Sequence, residues 1–379
     1  MTPFEALKLS RGPAFVLMAT GVYWGGLAGM MPDLKAHVGA SDGQMGALLL
    51  APASASVIAM GIAPWATQRF GGLVLPIASV AIAAAFLLYL TADSIVSLAF
   101  ALFVGGLTVA FADMTANIRL ANVEARRDVH LMNMNHAAYS ISFGVTCLLI
   151  AVLRTDGWAF TAIAPVLAGI ALAYALFGWD GRDPSRDEPD REPGVLSPPW
   201  IVVALAATVL FCSFVAENAA EAWTALHIER TLNAPVGEGS LGPALFGFVM
   251  GFGRLSGQAT ARRIGVERLI LFSASLAVVG AGVIAIAPSP MVVHVGVILM
   301  ALGVAVIVPS TNSIIARKVS DRVRARAISR AWMGGLLGFF AGPALMGGLA
   351  ELGNLRIAFA AVGAICFLII PAIIALARR

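Results

Sequence analysis

Asp180-Gly-Arg-Asp-Pro-Ser-Arg-Asp-Glu-Pro-Asp-Arg-Glu-Pro-Gly-Val-Leu-Ser-Pro-Pro199 is the one long polar stretch in a chain of 379 residues, 59% of them hydrophobic. Rich in proline and mixed charge, it holds too few apolar residues to order itself, and it reads as a linker. What flanks it decides the fold. Six apolar runs precede it and six follow, each about 20 residues long, the length a helix needs to cross about 30 Å of hydrocarbon. The spans read at 13–32, 43–64, 72–91, 94–117, 132–153, 158–178, 199–222, 241–261, 268–287, 290–315, 327–349 and 354–377. The expected fold is an all-α membrane protein of twelve transmembrane helices. Its organisation is a six-helix bundle over 1–179, a cytoplasmic linker over 180–198 and a second bundle over 199–379.

A mean hydropathy of +0.87 excludes a soluble globule, which would have too little polar surface to cover itself. Cys147, Cys212 and Cys366 each sit within an apolar run and read as small hydrophobes, not as halves of a disulfide. The net charge of +4 does not point to nucleic acid, because the basic residues are scattered over short loops with no aromatic-basic face. Their distribution gives orientation instead. With both termini in the cytoplasm, about 20 of the 25 Lys and Arg lie on that side, while Lys35, Arg154, Arg230 and Arg356 lie on the other and Arg254 falls inside a span. The chain is therefore expected in the cytoplasmic (inner) membrane as a multi-pass protein, with the N-terminus retained as a cytoplasmic tail. Nothing in the sequence calls for a cofactor or a metal, and it is expected to work as a monomer.

The halves repeat one another. Ala66-Thr67-Gln68-Arg69-Phe70-Gly71 after span two matches Thr260-Ala261-Arg262-Arg263-Ile264-Gly265 after span eight, and nearly the same offset relates Asn117 to Asn312. Two six-helix halves with a basic Arg-Phe-Gly loop resemble the major facilitator superfamily. That resemblance implies two pseudo-symmetric bundles rocking about a solute site near the bilayer midplane. It makes Arg69, Arg254 and Arg263 candidates for a structural gate, with Arg254 expected to pair with a cytoplasmic-loop carboxylate such as Glu124 or Asp128.

A carboxylate deep in a bilayer costs about 2.5–3.5 kcal/mol on insertion scales, so each one present needs a partner or a task. Asp113 and Asn117 share a face of span four at i and i+4. His136 opens span five behind Asn133 and Asn135, with Tyr139 at i+3, and the hairpin of spans four and five should gather Asp113, Asn117 and His136 at one depth. An acid beside a histidine is a natural proton relay. Span seven carries Glu217 and Glu221 at i and i+4, with Asn218 beside them and Trp223 beyond. Two such carboxylates cannot both ionise cheaply in a low dielectric, so the pair is expected to hold a proton. Tyr23 and Trp24 in span one could stack on a sugar face, and Asn312 occupies the repeat position of Asn117.

Asp113-Met-Thr-Ala-Asn117, Asn133-Met-Asn-His136 and Glu217 with Trp223 resemble, in order and place, the fourth, fifth and seventh helices of the fucose–proton symporter branch of the superfamily. That resemblance implies proton coupling and sugar recognition at Asp113, with Asn117 as a hydrogen-bonder to the solute. By the same reading His136, Glu217 and Glu221 join Asp113 in proton coupling. Tyr23, Trp24, Asn117, Asn133, Tyr139, Asn218 and Asn312 contact the solute. The chain departs from the branch in lacking an acid within its first helix and in placing Ser140 and Ser142 before Gly144, where the branch has glycine close after the histidine. The expected partners are a small polar, sugar-like solute, protons and the lipid bilayer. Outward transport of an amphipathic metabolite or drug is the second reading. A membrane enzyme is excluded because no H-E-x-x-H, P-loop or comparable arrangement appears and the loops are too short for a catalytic domain.

Overall fold

A computed structural model of the chain describes residues 5, 8–127, 129, 131–179 and 198–378. Nearly all of the linker expected at 180–198 lies outside the described residues. All regular structure among the described residues is helical. Span one is Arg11–His37; span two is Asp42–Leu48 continued by Leu50–Phe70; spans three to six are Val74–Leu88, Ile95–Arg127, Met132–Thr155 and Phe160–Phe177. Span seven, Trp200–Leu226, runs on into a π-helical turn, His227–Thr231. Leu241–Ile264 and Val266–Ile286 follow as spans eight and nine, then Pro290–Val304 with Ile307–Lys318, Asp321–Leu352, and Leu355–Phe367 with Ile369–Ala377.

Ten helical stretches among the described residues are long and apolar enough to cross a bilayer, and one of them, Asp42–Thr91, covers the second and third expected spans. Span eight is a 24-residue helix outside that apolar set. Spans four and eleven run on to Arg127 and back to Asp321, well past their expected ends, because hydropathy marks where the apolar run stops while the helix continues on polar residues. The surface is apolar as well as the core. Leu352, Val96, Leu176 and Trp200 are 75–87% exposed, as lipid-facing side chains should be. The three cysteines are free and buried.

Local chemistry explains the helix ends. Ser41 and Gln44 form a reciprocal capping box at the start of span two. Gly71 and Gly265, the last residues of the repeated loop motif, close spans two and eight at φ +54° and +86°, a region side chains avoid. Span ten breaks between Val304 and Ile307, which places Pro309 in the first turn of the following helix, where its missing N–H costs no intrahelical bond.

Packing repeats between the first six and last six spans. Span one lies on five as seven lies on eleven, two on four as eight on ten, and three on six as nine on twelve. Five on eight, two on eleven and one on seven join the two sets. Two of these joints close to backbone contact. A Cβ on Gly144 would stand 2.9 Å from the Ala244 carbonyl oxygen, and one on Gly347 would stand 2.7 Å from the Gly46 Cα. Backbone cannot yield as a side chain does, and overpacking costs about 1–3 kcal/mol. Gly144→Val is therefore expected to slow solute counterflow in proteoliposomes about tenfold or more. Gly169→Val, into open space, should leave it unchanged.

Candidate functional site

Four spans from the two sets contribute one polar cluster, His136 from the first turns of span five and the others from further within their helices. Asn117 donates through Nδ2 to Asp113 Oδ2 at 2.9 Å, as their i, i+4 spacing on span four allows. His136 Nε2 lies 3.1 Å from Asn117 Oδ1. A carboxamide oxygen only accepts, so His136 donates through Nε2–H and the tautomer is set by its neighbour. Asp113, Asn117 and His136, gathered on paper from a hairpin, are therefore bonded in a row, all three half-buried.

Arg254 extends the row to the other set of spans. Its Nη1 donates to Ser140 Oγ at 2.8 Å, while that hydroxyl donates to the His136 carbonyl at 3.0 Å. Its Nη2 donates to Glu217 Oε1 at 3.0 Å, with the side chains only 18% and 10% exposed. The loop pairing expected for Arg254 is thus corrected: Glu124 Oε1 instead accepts the backbone N–H groups of Leu131 and Met132, and Asp128 lies outside the described residues. Span eight lies against five and seven, which brings an arginine buried mid-helix closer to Glu217 than to any loop. The expected sharing of a proton between Glu217 and Glu221 is also altered, since Glu217 has a cation of its own. Glu221 is half-buried and makes no hydrogen bond or ion pair among the described residues.

The other sequence candidates divide. Tyr139 is half-buried on the His136 face of span five. Asn218 Oδ1 is buried without a partner, with Gly342 of span eleven against it. Asn312 accepts the Trp332 indole N–H at 3.0 Å, which ties spans ten and eleven together. Tyr23 is wholly buried, its hydroxyl 2.9 Å from that of Tyr89 and its ring against Trp24, Phe86 and Tyr89; it is core and presents no face to a solute here. Trp24, half-buried, meets it edge-on at 5.5 Å. Asn133 is exposed, whereas its neighbour Asn135 is buried and donates to Ser10 Oγ and the Leu131 carbonyl. Arg69 and Arg263 are exposed at helix ends, Arg69 over the Phe70 ring, and neither has an ion pair among the described residues.

The family model described as Major Facilitator Superfamily matches residues 14–300 and 206–379. The chain belongs to the major facilitator superfamily. It is a transporter and not an enzyme, and a multi-pass membrane protein. An uncharacterized MFS-type transporter of Yersinia pestis is 24% identical over 371 residues, 95% of this chain and 93% of the relative. Membrane protein MosC of Rhizobium meliloti is 26% identical over 359 residues, covering 93% and 87%. Among solved structures, the nucleoside transporter NupG superposes with a TM-score of 0.79 at 11% identity, covering 97% of this chain and 99% of that one. A D-xylose–proton symporter gives 0.71 at 14%, covering 97% of each. That likeness is one of fold.

This superfamily member also carries charged residues that the sequence reading passed over. At the end far from the termini, Arg154 of span five binds Asp33 of span one and Glu229 of the π-helical turn after span seven. Asp42 bonds both Lys35, at 3.1 Å, and Arg230, and Glu351 accepts the Gly43 N–H at 2.8 Å. A depression of about 380 Å³ is lined there by Lys35, Asp42, Arg230 and Glu351, remote from Asp113. The available signal was that the charge distribution already put Lys35, Arg154 and Arg230 together on the side away from the termini.

Proposed function

We propose that this transporter imports a small polar, sugar-like solute across the cytoplasmic membrane by alternating access with proton symport. The motifs of spans four, five and seven support reading it as a member of the fucose–proton symporter branch. The two halves, 1–179 and 199–379, rock about the cluster of spans four, five, seven and eight, with both termini in the cytoplasm. The observation that carries this reading is the continuous row Asp113–Asn117–His136, bridged through Ser140 and Arg254 to Glu217. An apolar barrier retains such a row only where its groups have a task.

Asp113 is held by a carboxamide and has no cation bonded to it among the described residues, so a proton is the partner that neutralises it when the site is sealed from water. Asn117 and His136 then offer a turnable amide and a ring N–H to solute hydroxyls, and Tyr139 and Asn218 supply further polar contacts from facing spans. Arg254, aimed by Glu217 of its own set of spans, holds span eight to span five through Ser140, so the two sets part here only when that hydrogen bond breaks. Binding free energy that differs between the inward and outward shapes drives the exchange. The departure of Ser140 from the branch pattern fits this scheme, since a glycine there could not receive Arg254.

The test uses purified protein in proteoliposomes with an acid exterior and a panel of neutral pentoses, hexoses and nucleosides. At least one is expected to accumulate against its gradient and to lose that accumulation when a protonophore is added. A panel member that moves only downhill, at a rate indifferent to the pH gradient, contradicts proton coupling. Export of hydrophobic dyes with no sugar uptake would favour the efflux reading.

A further inference from the structure

The charges at the end far from the termini are built as a device with two unequal partners. The Arg154 side chain is 1% exposed and its guanidinium holds two carboxylates at once. Its Nε and Nη2 donate to Asp33 Oδ2 and Oδ1 at 2.7 and 2.6 Å, and its Nη1 and Nη2 donate to Glu229 Oε1 and Oε2 at 2.5 and 2.9 Å. Asp33 comes from the same set of six spans as Arg154, Glu229 from the other. If the sets part at this end, neither side is left bare. Arg154 keeps Asp33, and Glu229 keeps the Gly237 N–H, which donates to its Oε1 at 3.1 Å. Next to it the Ser240 hydroxyl donates to the Gly29 carbonyl at 3.1 Å, also across the seam.

We propose that Arg154 is a latch with a resident partner and an exchangeable one: Asp33 keeps the guanidinium aimed and neutralised throughout the cycle, while Glu229 closes this end of the transporter and releases it. Breaking a desolvated charge pair is expensive mainly because of the charge left unpaired. Here each half supplies its own substitute, so the closed and open states stay close in free energy, as a transporter requires.

The two carboxylates on one guanidinium must then act in opposite senses. Without the Glu229 charge, the one bidentate bond across this seam among the described residues is lost, the Arg230–Asp42 pair and the Glu351–Gly43 hydrogen bond are left to hold it, and the end opens more readily. Without the Asp33 charge, the guanidinium belongs wholly to Glu229, and opening strands an unpaired arginine, so the end stays shut. A merely structural pair of acids would give losses in one direction.

The reporter is Ala244→Cys, in full-length protein whose Cys147, Cys212 and Cys366 are changed to Ala. Ala244 is 3% exposed and packs against Ala28 and Phe143 where spans one, five and eight meet. A charged maleimide in detergent solution reads how often that seam opens, whichever side of the membrane it faces. Glu229→Gln is expected to raise the labelling rate about fivefold or more, and Asp33→Asn to lower it by about the same factor. Arg154→Lys keeps the charge but loses the fork, and should raise the rate as Glu229→Gln does. Shifts of the same sign for the two acids overturn the latch. So does an unchanged rate in Arg154→Lys, even should Asp33→Asn fail to fold.

Discussion

Asp113→Asn is expected to abolish uphill uptake while sparing solute exchange. A one-proton symporter facing a two-unit pH gradient can accumulate its solute about 100-fold, since each unit is worth about 1.4 kcal/mol. Asparagine keeps the shape of the side chain and an oxygen to accept the Asn117 Nδ2–H, which spans 2.9 Å in the native protein. The hydrogen-bonded row to His136 is thus preserved, and the fold with it. What goes is the group that loads and unloads the proton. Accumulation should fall from about 100-fold to about unity, whereas counterflow of labelled against unlabelled solute, which needs no proton movement, should continue at a comparable rate. Full accumulation in the variant would remove Asp113 from the coupling scheme.

The second large effect concerns Glu217 and Arg254. Removing one partner of a buried ion pair costs about 3–5 kcal/mol, because the survivor is left uncompensated. Glu217→Leu should accordingly lower the thermal stability of the purified transporter by several degrees or prevent its insertion. The paired change Glu217→Leu with Arg254→Leu removes both charges and should recover most of that loss, since apolar replacement of a buried pair is often neutral or stabilising. Transport should not return with it. Recovered stability without recovered counterflow is the signature of a pair kept for its function, and a double variant that transports normally would make the pair structural. The side-chain exposures of 18% and 10% place the pair on the desolvated end of this scale.

How far these sites could be read from the sequence follows from how local each one is. Asp113, Asn117 and His136 were legible because their geometry is set by one helical turn and one hairpin, both short in sequence. The Arg254–Glu217 bond was not: it depends on how span eight lies across spans five and seven, which no periodicity encodes. The Arg154 latch was missed for a different reason. Asp33, Arg154 and Glu229 each stand at the end of an apolar run, where a charge normally meets water, and only the close approach of the two sets of spans buries them together. Tyr23 shows the opposite error. An aromatic with a hydroxyl in span one reads as a sugar platform, but its hydroxyl is satisfied by Tyr89, sixty-six residues further along the chain. The glycines of span one let it pack closely on span five: a Cβ on Gly25 would stand 2.6 Å from the Phe143 carbonyl oxygen.

Proton movement measured directly tests the coupling most plainly. Proteoliposomes in weakly buffered medium, with no imposed gradient, receive the panel solute that most stabilises the purified protein against heat. Entry of that solute is expected to make the external medium more alkaline at a rate proportional to uptake, and Asp113→Asn vesicles should show uptake with a flat pH trace. Solute entry by the native protein with no accompanying pH change would contradict the account.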